Sequence, residues 1–549
     1  MSKIVGLGHF SLDIAEVVRQ LRRDLKDDFH PDSLGYEDVL TTDVAAALLQ
    51  ESFERNHGLF VPEGRTELNI PKPGFSLRYS LDTSLLDRLY YQALVGYLVP
   101  FYDALLPNQV LSHRYAGSGH RSGRYLFKNP IEQWKFFQGF TEQEARSEGK
   151  PVILATDIVN YFENIQVDRI ISVLKDNIDR IKANRSEKAR IRRIIKDLHR
   201  CLRKWCYKPT HGLPQNRDAS SFLSNLVMLP VDRSMIEHGY AYFRYVDDIR
   251  VAVTSRYQAR AALQHLTIEL RRLGLNVNSA KTVIAEPGDT NYAKTLGESD
   301  PLLAQIDNMW QSRSLPVIRR SFLPLKKLAL DLIERGATQE RGFRFCVQRL
   351  ERLALCTELC VPPIFFEPMS DLCIKELDAQ PFSSDKIVRF LKAVPTSTAQ
   401  MSDVAKLLMD HDRSIYDWQN YLLWQLLTCK NHADPALIAL ARKRAVHVER
   451  PADRAGAILF LGAMGSDDDR NFVVKSFKSY DEHIVQRNAL IAVHQIDFNS
   501  GIKDYVAPHL FPSLKGTYAR LRNGFLGQYY RPLPSISAID LYDEMSGYD

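Results

Sequence analysis

Two periodicities divide this chain unevenly. From about residue 75 to 300, runs of β-branched and aromatic residues, "PVILATDIV", "YFRYVDDIRVAV" and "LNVNSAKTVIA", alternate with stretches whose apolar residues recur every three or four positions. This predicts strands interleaved with amphipathic helices. Beyond about residue 305 the strand-like runs nearly vanish and helical spacing continues to the terminus. The first 60 or so residues carry helix-like spacing with charges, including "VAAALLQESFERN", for which Thr42 or Asp43 is the expected cap; "PEGRTELNIPKPGFS" reads as a loop. The pattern predicts a helical extension over residues 1–74, an α+β domain over 75–304 and an all-α domain over 305–549, with the boundary near "GESDPLLAQ".

A weak repeat runs through the last part. "QNYLLWQLL" from Gln419, "DRAGAILFLGAMG" from Asp453 and "QRNALIAVHQID" from Gln486 recur at offsets of 34 and 33 residues. That period suits a HEAT-like array whose units bury their apolar faces by stacking, although any antiparallel helical bundle repeats at about this length.

Composition adds limits. At 549 residues, 45% hydrophobic and 25% charged, the chain is globular and long enough for several domains. The greasiest run, "LYYQALVGYLVPFYDALL", contains Gln92, Pro100 and Asp103 and suits a core helix better than a membrane span. The N-terminal residues lack the apolar core of a signal peptide, so a cytoplasmic location and no membrane partner are expected. Seven cysteines without a Cys-x-x-Cys pair argue against a zinc site or a disulfide framework. Net charge is +6, and Lys182 to Lys208 holds eleven Lys or Arg against Glu187 and Asp197. A nucleic-acid-facing helix using Arg190, Arg193, Arg200 and Lys204 fits that stretch, as does an ordinary solvated helix face.

The chemistry centres on Asp247 and Asp248. "YFRYV" and "IRVAV" read as two strands with the aspartates at their turn, and carboxylates on a rigid hairpin suit a hard divalent cation, Mg2+ or Mn2+. A second carboxylate source is Asp157, where the apolar run "PVILAT" ends, although a helix cap after a strand would look the same. Two metals bridged by such aspartates would activate a hydroxyl and steady a departing pyrophosphate. "GLPQ", Gly212 to Gln215, is a turn entering a helix, and "LRRLGLNVNSAKTVIA" is a helix end stopped by Gly274, followed by a strand carrying Lys281. Gaps of 55, 35 and 34 residues separate Asp157, Gly212, Asp247 and Lys281.

That ordered set resembles the palm of a reverse transcriptase: "DIVNYFENI", "GLPQ", "YVDD" and "LGLNVNSAKT" look like its successive motifs. The resemblance implies a right-hand fingers and palm fold. It implies Asp157, Asp247 and Asp248 as the metal-binding triad, with the Ile158 carbonyl as a further contact. Gln215 would lie along the incoming nucleotide, and Lys281 near its triphosphate, placed to protonate pyrophosphate. Phe162 matches the bulky aromatic that in this family blocks a 2′-hydroxyl, which implies dNTP substrates, although an aromatic core plug is the plainer reading. Upstream, "HRYAGSGHRSGRYLFK" offers a glycine-spaced cradle of Arg114, Arg121, Arg124 and Lys128 for phosphates, with Arg114 the first candidate, or a flexible hairpin.

Departures narrow the family. "NRDASS" follows "GLPQ", with Asn216 where glycine is expected. A palm followed by some 245 helical residues is similar to the AbiK-like abortive-infection reverse transcriptases of bacterial defence. Their properties would imply DNA synthesis without a conventional primer or template, a DNA product attached to a protein hydroxyl, and homo-oligomers. The alternatives are a templated enzyme copying an associated noncoding RNA, an inactive scaffold that binds nucleic acid, and a nucleotide cyclase. The complete carboxylate set and the polymer-making motifs argue against the last two.

Overall fold

The N-terminus forms strands where helical spacing was expected. In the computed structural model, Ile4–Leu7 (β1) and Phe10–Asp13 (β2) pair as an antiparallel hairpin ahead of the helix Ile14–Asp24. The structure describes residues 4–541 except 8–9, 118–124, 147–148, 298–300, 495, 497–504, 523–532 and 539–540. The helix Thr42–Arg55 starts one residue earlier than its composition suggested, because the Thr41 hydroxyl accepts from the Val44 N–H at 3.4 Å. The expected loop is a second hairpin: Arg65–Pro71 (β3) and Leu77–Thr83 (β4) pair, and alternate residues Leu68 and Ile70 are buried. Prolines at 71 and 73 hid the strand, although Pro71 stands at its end, where no further ladder bond is needed.

The chain divides into two compact units that interleave in sequence. One comprises Met1–Asp28, Leu40–Gly64 and Thr83–Ser299; the other comprises Phe29–Val39, Arg65–Asp82 and Asp300–Asp549. Two N-terminal stretches therefore belong with the C-terminal residues, an arrangement that a contiguous three-part reading does not contain.

At the centre of the first unit lies a four-stranded antiparallel sheet formed by Val152–Thr156 (β5), Ala241–Tyr245 (β6), Asp248–Val253 (β7) and Val283–Ala285 (β8), in the order β6-β7-β5-β8. Helices surround it. The greasy run forms the helix Leu85–Tyr102, buried along most of its length, and among the described residues no helix is long and apolar enough to cross a membrane. The helix Arg256–Arg272 stops just before Gly274, whose φ of 78° ends it as the sequence suggested.

In the second unit, Arg341–Leu355, Ser384–Ala393, Asp417–Cys429, Pro451–Met464 and His483–Ala492 stack in succession as one row of helices. Phe322–Glu334, Glu367–Ala379, Thr398–Met409 and Pro435–Arg444 follow one another in a second row. The segments offset by 34 and 33 residues are three neighbours in the first row. Glycine permits that closeness: a Cβ on Gly462 would stand 2.4 Å from the Ala492 Cα.

Candidate active site

The sheet brings the acidic residues together. β5 runs antiparallel to β7 with Thr156 opposite Ile249, so the next residue, Asp157, comes level with Asp248. Tyr245 pairs with Asp248 across the β6–β7 hairpin, leaving Val246 and Asp247 as its turn. The Asp157 carbonyl accepts from the Asn278 N–H at 2.8 Å, Val159 N–H donates to the Asn276 carbonyl at 3.0 Å, and Ile158 bridges Val277. These bonds draw in the segment that carries Lys281, whose ammonium donates to Asp157 Oδ2. Lys281 lies in the short turn Ser279–Lys281, just ahead of β8 rather than within it.

The electrostatics are those of crowded carboxylates. Asp157 is buried, and its Oδ1 has no hydrogen-bond partner. Protein packed around Asp248, followed by repulsion from Asp247 and Asp157, pushes its carboxyl up to about 7, although the residue itself reaches solvent. Desolvation works to lower the Lys281 pKa, but the hydrogen bond and charge of Asp157, with Asp247 and Asp248 behind it, hold the ammonium above its ordinary value.

Among the described residues no group of three or more His, Cys, Asp or Glu side chains is arranged to hold a metal ion. The donors nonetheless suit a hard divalent cation. They are oxygens, one is buried without a partner, and the repulsion at Asp248 is of the kind a cation relieves. At present the Lys281 ammonium supplies the positive charge beside Asp157.

The "GLPQ" turn is stitched to the residues after Asp157. Gly212 N–H donates to the Ile165 carbonyl and Leu213 N–H to the Phe162 carbonyl, both at 3.0 Å, so Phe162 and the approach to Gln215 are held side by side. Phe162 and Gln215 are both half-buried. Asn216 has a φ of 57°, and asparagine tolerates this left-handed conformation better than most residues, which explains how it replaces the expected glycine. The sequence did not reveal the anchor of this turn. Asp218 N–H donates to Asp24 Oδ1 at 2.9 Å, His113 Nε2 lies 3.1 Å from Asp218 Oδ1, and Arg217 pairs with Asp28 at 3.6 Å. Burial and the Asp218 charge push the Asp24 carboxyl up to about 7.

Arg114, the first candidate of the phosphate cradle, is held within its own loop. Its guanidinium is committed to Asp103, at 2.9 Å from Oδ1, and to the carbonyls of Pro107 and Val110 at 2.8 and 2.9 Å, so it pins its own loop. Arg121 and Arg124, the other arginines of that cradle, lie outside the described residues. The basic stretch is the helix Arg185–Trp205, opened by an Asn184–Glu187 capping box. It divides the four candidates. Arg190 donates to the Tyr97 hydroxyl at 3.0 Å and Arg200 to the Phe60 carbonyl, whereas Arg193 and Lys204 are exposed.

Residues 70–313 match the family model described as "Reverse transcriptase (RNA-dependent DNA polymerase)". This stretch is a reverse-transcriptase domain. It contains all four motifs and belongs to the nucleotidyltransferase class. No curated protein matches the chain. Similar solved structures include telomerase from Candida albicans with a fragment of telomeric RNA, at 13% identity and a TM-score of 0.29, covering 77% of this chain and 65% of that one. Apo telomerase from Candida tropicalis matches at 9% identity and a TM-score of 0.28, covering 85% of this chain and 74% of that one. The chain thus spans about two thirds of the length of the Candida albicans protein.

Proposed function

We propose that the protein is a DNA polymerase that joins dNTPs to a 3′-hydroxyl by two-metal nucleotidyl transfer. The observation that carries this reading is the meeting of Asp157, at the end of β5, with the Asp247–Asp248 turn inside the reverse-transcriptase domain. Asp157, Asp247, Asp248 and the Ile158 carbonyl would hold Mg2+ or Mn2+, and the bound ions supply Lewis-acid stabilisation of the attacking and departing oxygens. Phe162 bounds the sugar site and selects deoxyribose. Gln215, held beside it by the stitched turn, orients the incoming nucleotide. Lys281 delivers a proton to pyrophosphate. Arg193 and Lys204, on the exposed face of their helix, meet nucleic-acid phosphates.

Labelled dNTPs incubated with purified protein test the reading. Incorporation is expected, and Asp247→Ala or Asp248→Ala should reduce it by about 10³-fold or more; undiminished synthesis refutes the assignment. Running the assay with and without RNase, and sequencing any copurified RNA, separates free-running synthesis from copying of a bound noncoding RNA.

The two rows of helices in a chain that also carries such a domain support a placement near the AbiK-like defence enzymes, with the second unit as a HEAT-like array, untemplated and protein-primed synthesis, and a homo-oligomer. Mass spectrometry of nuclease-trimmed protein should find a nucleotide on one hydroxyl residue. Cells expressing the protein should resist phage plating, and the Asp247→Ala variant should not.

A further inference from the structure

The β6–β7 turn is strained. Val246 has a φ of 56°, a left-handed conformation that a β-branched side chain disfavours, at the first central position of a two-residue hairpin turn, where glycine is common. Such a residue persists only where its surroundings fix it. Here both of its backbone polar groups are gripped. Its N–H donates to Ser112 Oγ at 2.9 Å, and its carbonyl accepts from Arg244 Nη1, also at 2.9 Å.

Both partners belong to one buried polar network. Arg244 is fully buried and uses its whole guanidinium: Nε and Nη2 donate to the two Asp232 oxygens at 2.7 Å each, Nη1 also donates to Asn225 Oδ1 at 2.7 Å, and Nη2 reaches the Asn225 carbonyl at 3.5 Å. Asn225 Nδ2 in turn donates to the Ser112 carbonyl at 2.9 Å and hydroxyl at 3.2 Å, and the Tyr242 hydroxyl donates to Asp232 Oδ1 at 2.8 Å. Backbone bonds from Arg244 N–H to the Gln109 carbonyl and from Leu111 N–H to the Arg244 carbonyl, both at 3.0 Å, hold the Ser112 segment against β6.

A buried ion pair is weak evidence of a stabilising role, since well-packed apolar residues of similar volume often serve as well. A planar guanidinium that reaches an aspartate, an asparagine and the carbonyl of a strained residue at once defines a geometry that no apolar side chain reproduces. We propose that Arg244, with Asp232, Asn225 and Ser112, forms a positioning set that holds Val246 in its strained conformation and thereby aims the Asp247 carboxylate. None of the four touches the reacting atoms. If Val246 relaxed to an ordinary φ, the peptide ahead of Asp247 would turn and carry that carboxylate away from Asp157. The effect on rate rests on the polymerase reading; the effect on Asp247 does not.

Three variants test the set. Ser112→Ala removes one hydroxyl and leaves no buried charge. Arg244→Lys keeps the charge, but one ammonium cannot serve all the Arg244 acceptors. Val246→Gly removes the strain, so the turn no longer depends on the grip. Ser112→Ala and Arg244→Lys should lower kcat by about ten- to a hundredfold. The dNTP KM should stay near wild type, and Mn2+ affinity of the resting protein, read by electron paramagnetic resonance, should weaken. Ser112→Ala should keep a melting temperature close to that of the wild type. Adding Val246→Gly to Ser112→Ala should restore most of the lost kcat and Mn2+ affinity, a rescue that a merely structural hydroxyl would not show. The proposal is overturned if folded Ser112→Ala and Arg244→Lys keep wild-type kcat and Mn2+ affinity, or if Val246→Gly rescues neither. Wild-type protein that binds Mn2+ but incorporates no dNTP defeats the polymerase reading alone, and the Mn2+ affinities then decide the positioning set. Wild-type protein that does neither defeats both.

Discussion

Arg244 in the first unit and Arg487 in the second are both sealed from solvent and paired with aspartate, yet their partners come from very different places in the chain. Asp232 is twelve residues before Arg244, and the network around it stiffens one turn. Asp32 and Asp38 stand 455 and 449 residues before Arg487. Arg487 Nη2 donates to Asp32 Oδ1 at 2.9 Å and to Asp38 Oδ1 at 2.8 Å, Nη1 donates to Thr517 Oγ1 at 2.8 Å, and the guanidinium lies 4.2 Å from the Tyr36 ring centre. The same N-terminal segment is gripped by Trp418 Nε1 on the Phe29 carbonyl at 2.7 Å and by the Tyr421 hydroxyl on the Pro31 carbonyl at 2.8 Å. One buried arginine shapes a local conformation, whereas the other closes a very long loop and ties residues 29–39 into the C-terminal helices.

The largest expected effect that separates the two is on stability. Arg487→Met leaves two buried carboxylates without their counter-charge and should cost about 3–5 kcal/mol in denaturant unfolding. Incorporation per folded molecule should change less than about twofold, since no group around Asp247 is altered. Loss of incorporation in folded Arg487→Met protein would break the distinction.

A pH experiment sharpens it. Against desolvation, which raises it, the charge and hydrogen bonds of Arg487 hold the Asp32 carboxyl below its ordinary value, so its contribution is present at neutral pH and is lost in acid. Asp417, on the first helix row, has no such partner. It accepts the Ala452 N–H at 3.0 Å and the Asp453 N–H, but burial, with the Asp453 charge added, pushes its carboxyl up to about 6 in spite of Arg450. A raised carboxyl contributes stability that is full below about pH 4 and is lost as pH rises through about 6, here on the order of 3 kcal/mol. Asp417→Asn should flatten that part of the stability curve between pH 4 and 7; an unchanged slope would place the loss elsewhere.

The smallest effect is the counterpart of Ser112→Ala. Thr517 donates to Asp38 Oδ2 at 2.8 Å and accepts from Arg487, so Thr517→Val removes one hydroxyl from the second network. It should cost about 1 kcal/mol of stability and leave kcat unchanged, measured beside Ser112→Ala. A matching fall in kcat would erase the contrast between the two arginines.

Much of the site was legible along the chain. "YFRYV" and "IRVAV" alternate as strands do, and β6 and β7 occupy those runs; "PVILAT" ends in Asp157, and β5 delivers it beside them. Gly274 marked its helix end, because a left-handed φ announces itself as glycine. β3 was missed since prolines at 71 and 73 outweighed the alternation of Leu68 and Ile70, whose burial comes from residues far along the chain. The partners of Arg114 were hidden for a related reason: a guanidinium in a glycine-rich stretch looks available until the carbonyls around it are in place.

By itself, then, the amino-acid order settled which segments become β5, β6 and β7 and which acidic side chains stand at their ends, because period-two alternation acts within a few residues. Only the folded chain decided that Val246 is held left-handed, that Lys281 rests on Asp157, and that residues 29–39 belong with helices more than 370 positions later. Those outcomes depend on which buried charges and backbone groups find partners across the chain, and burial is a property that no local window of sequence contains.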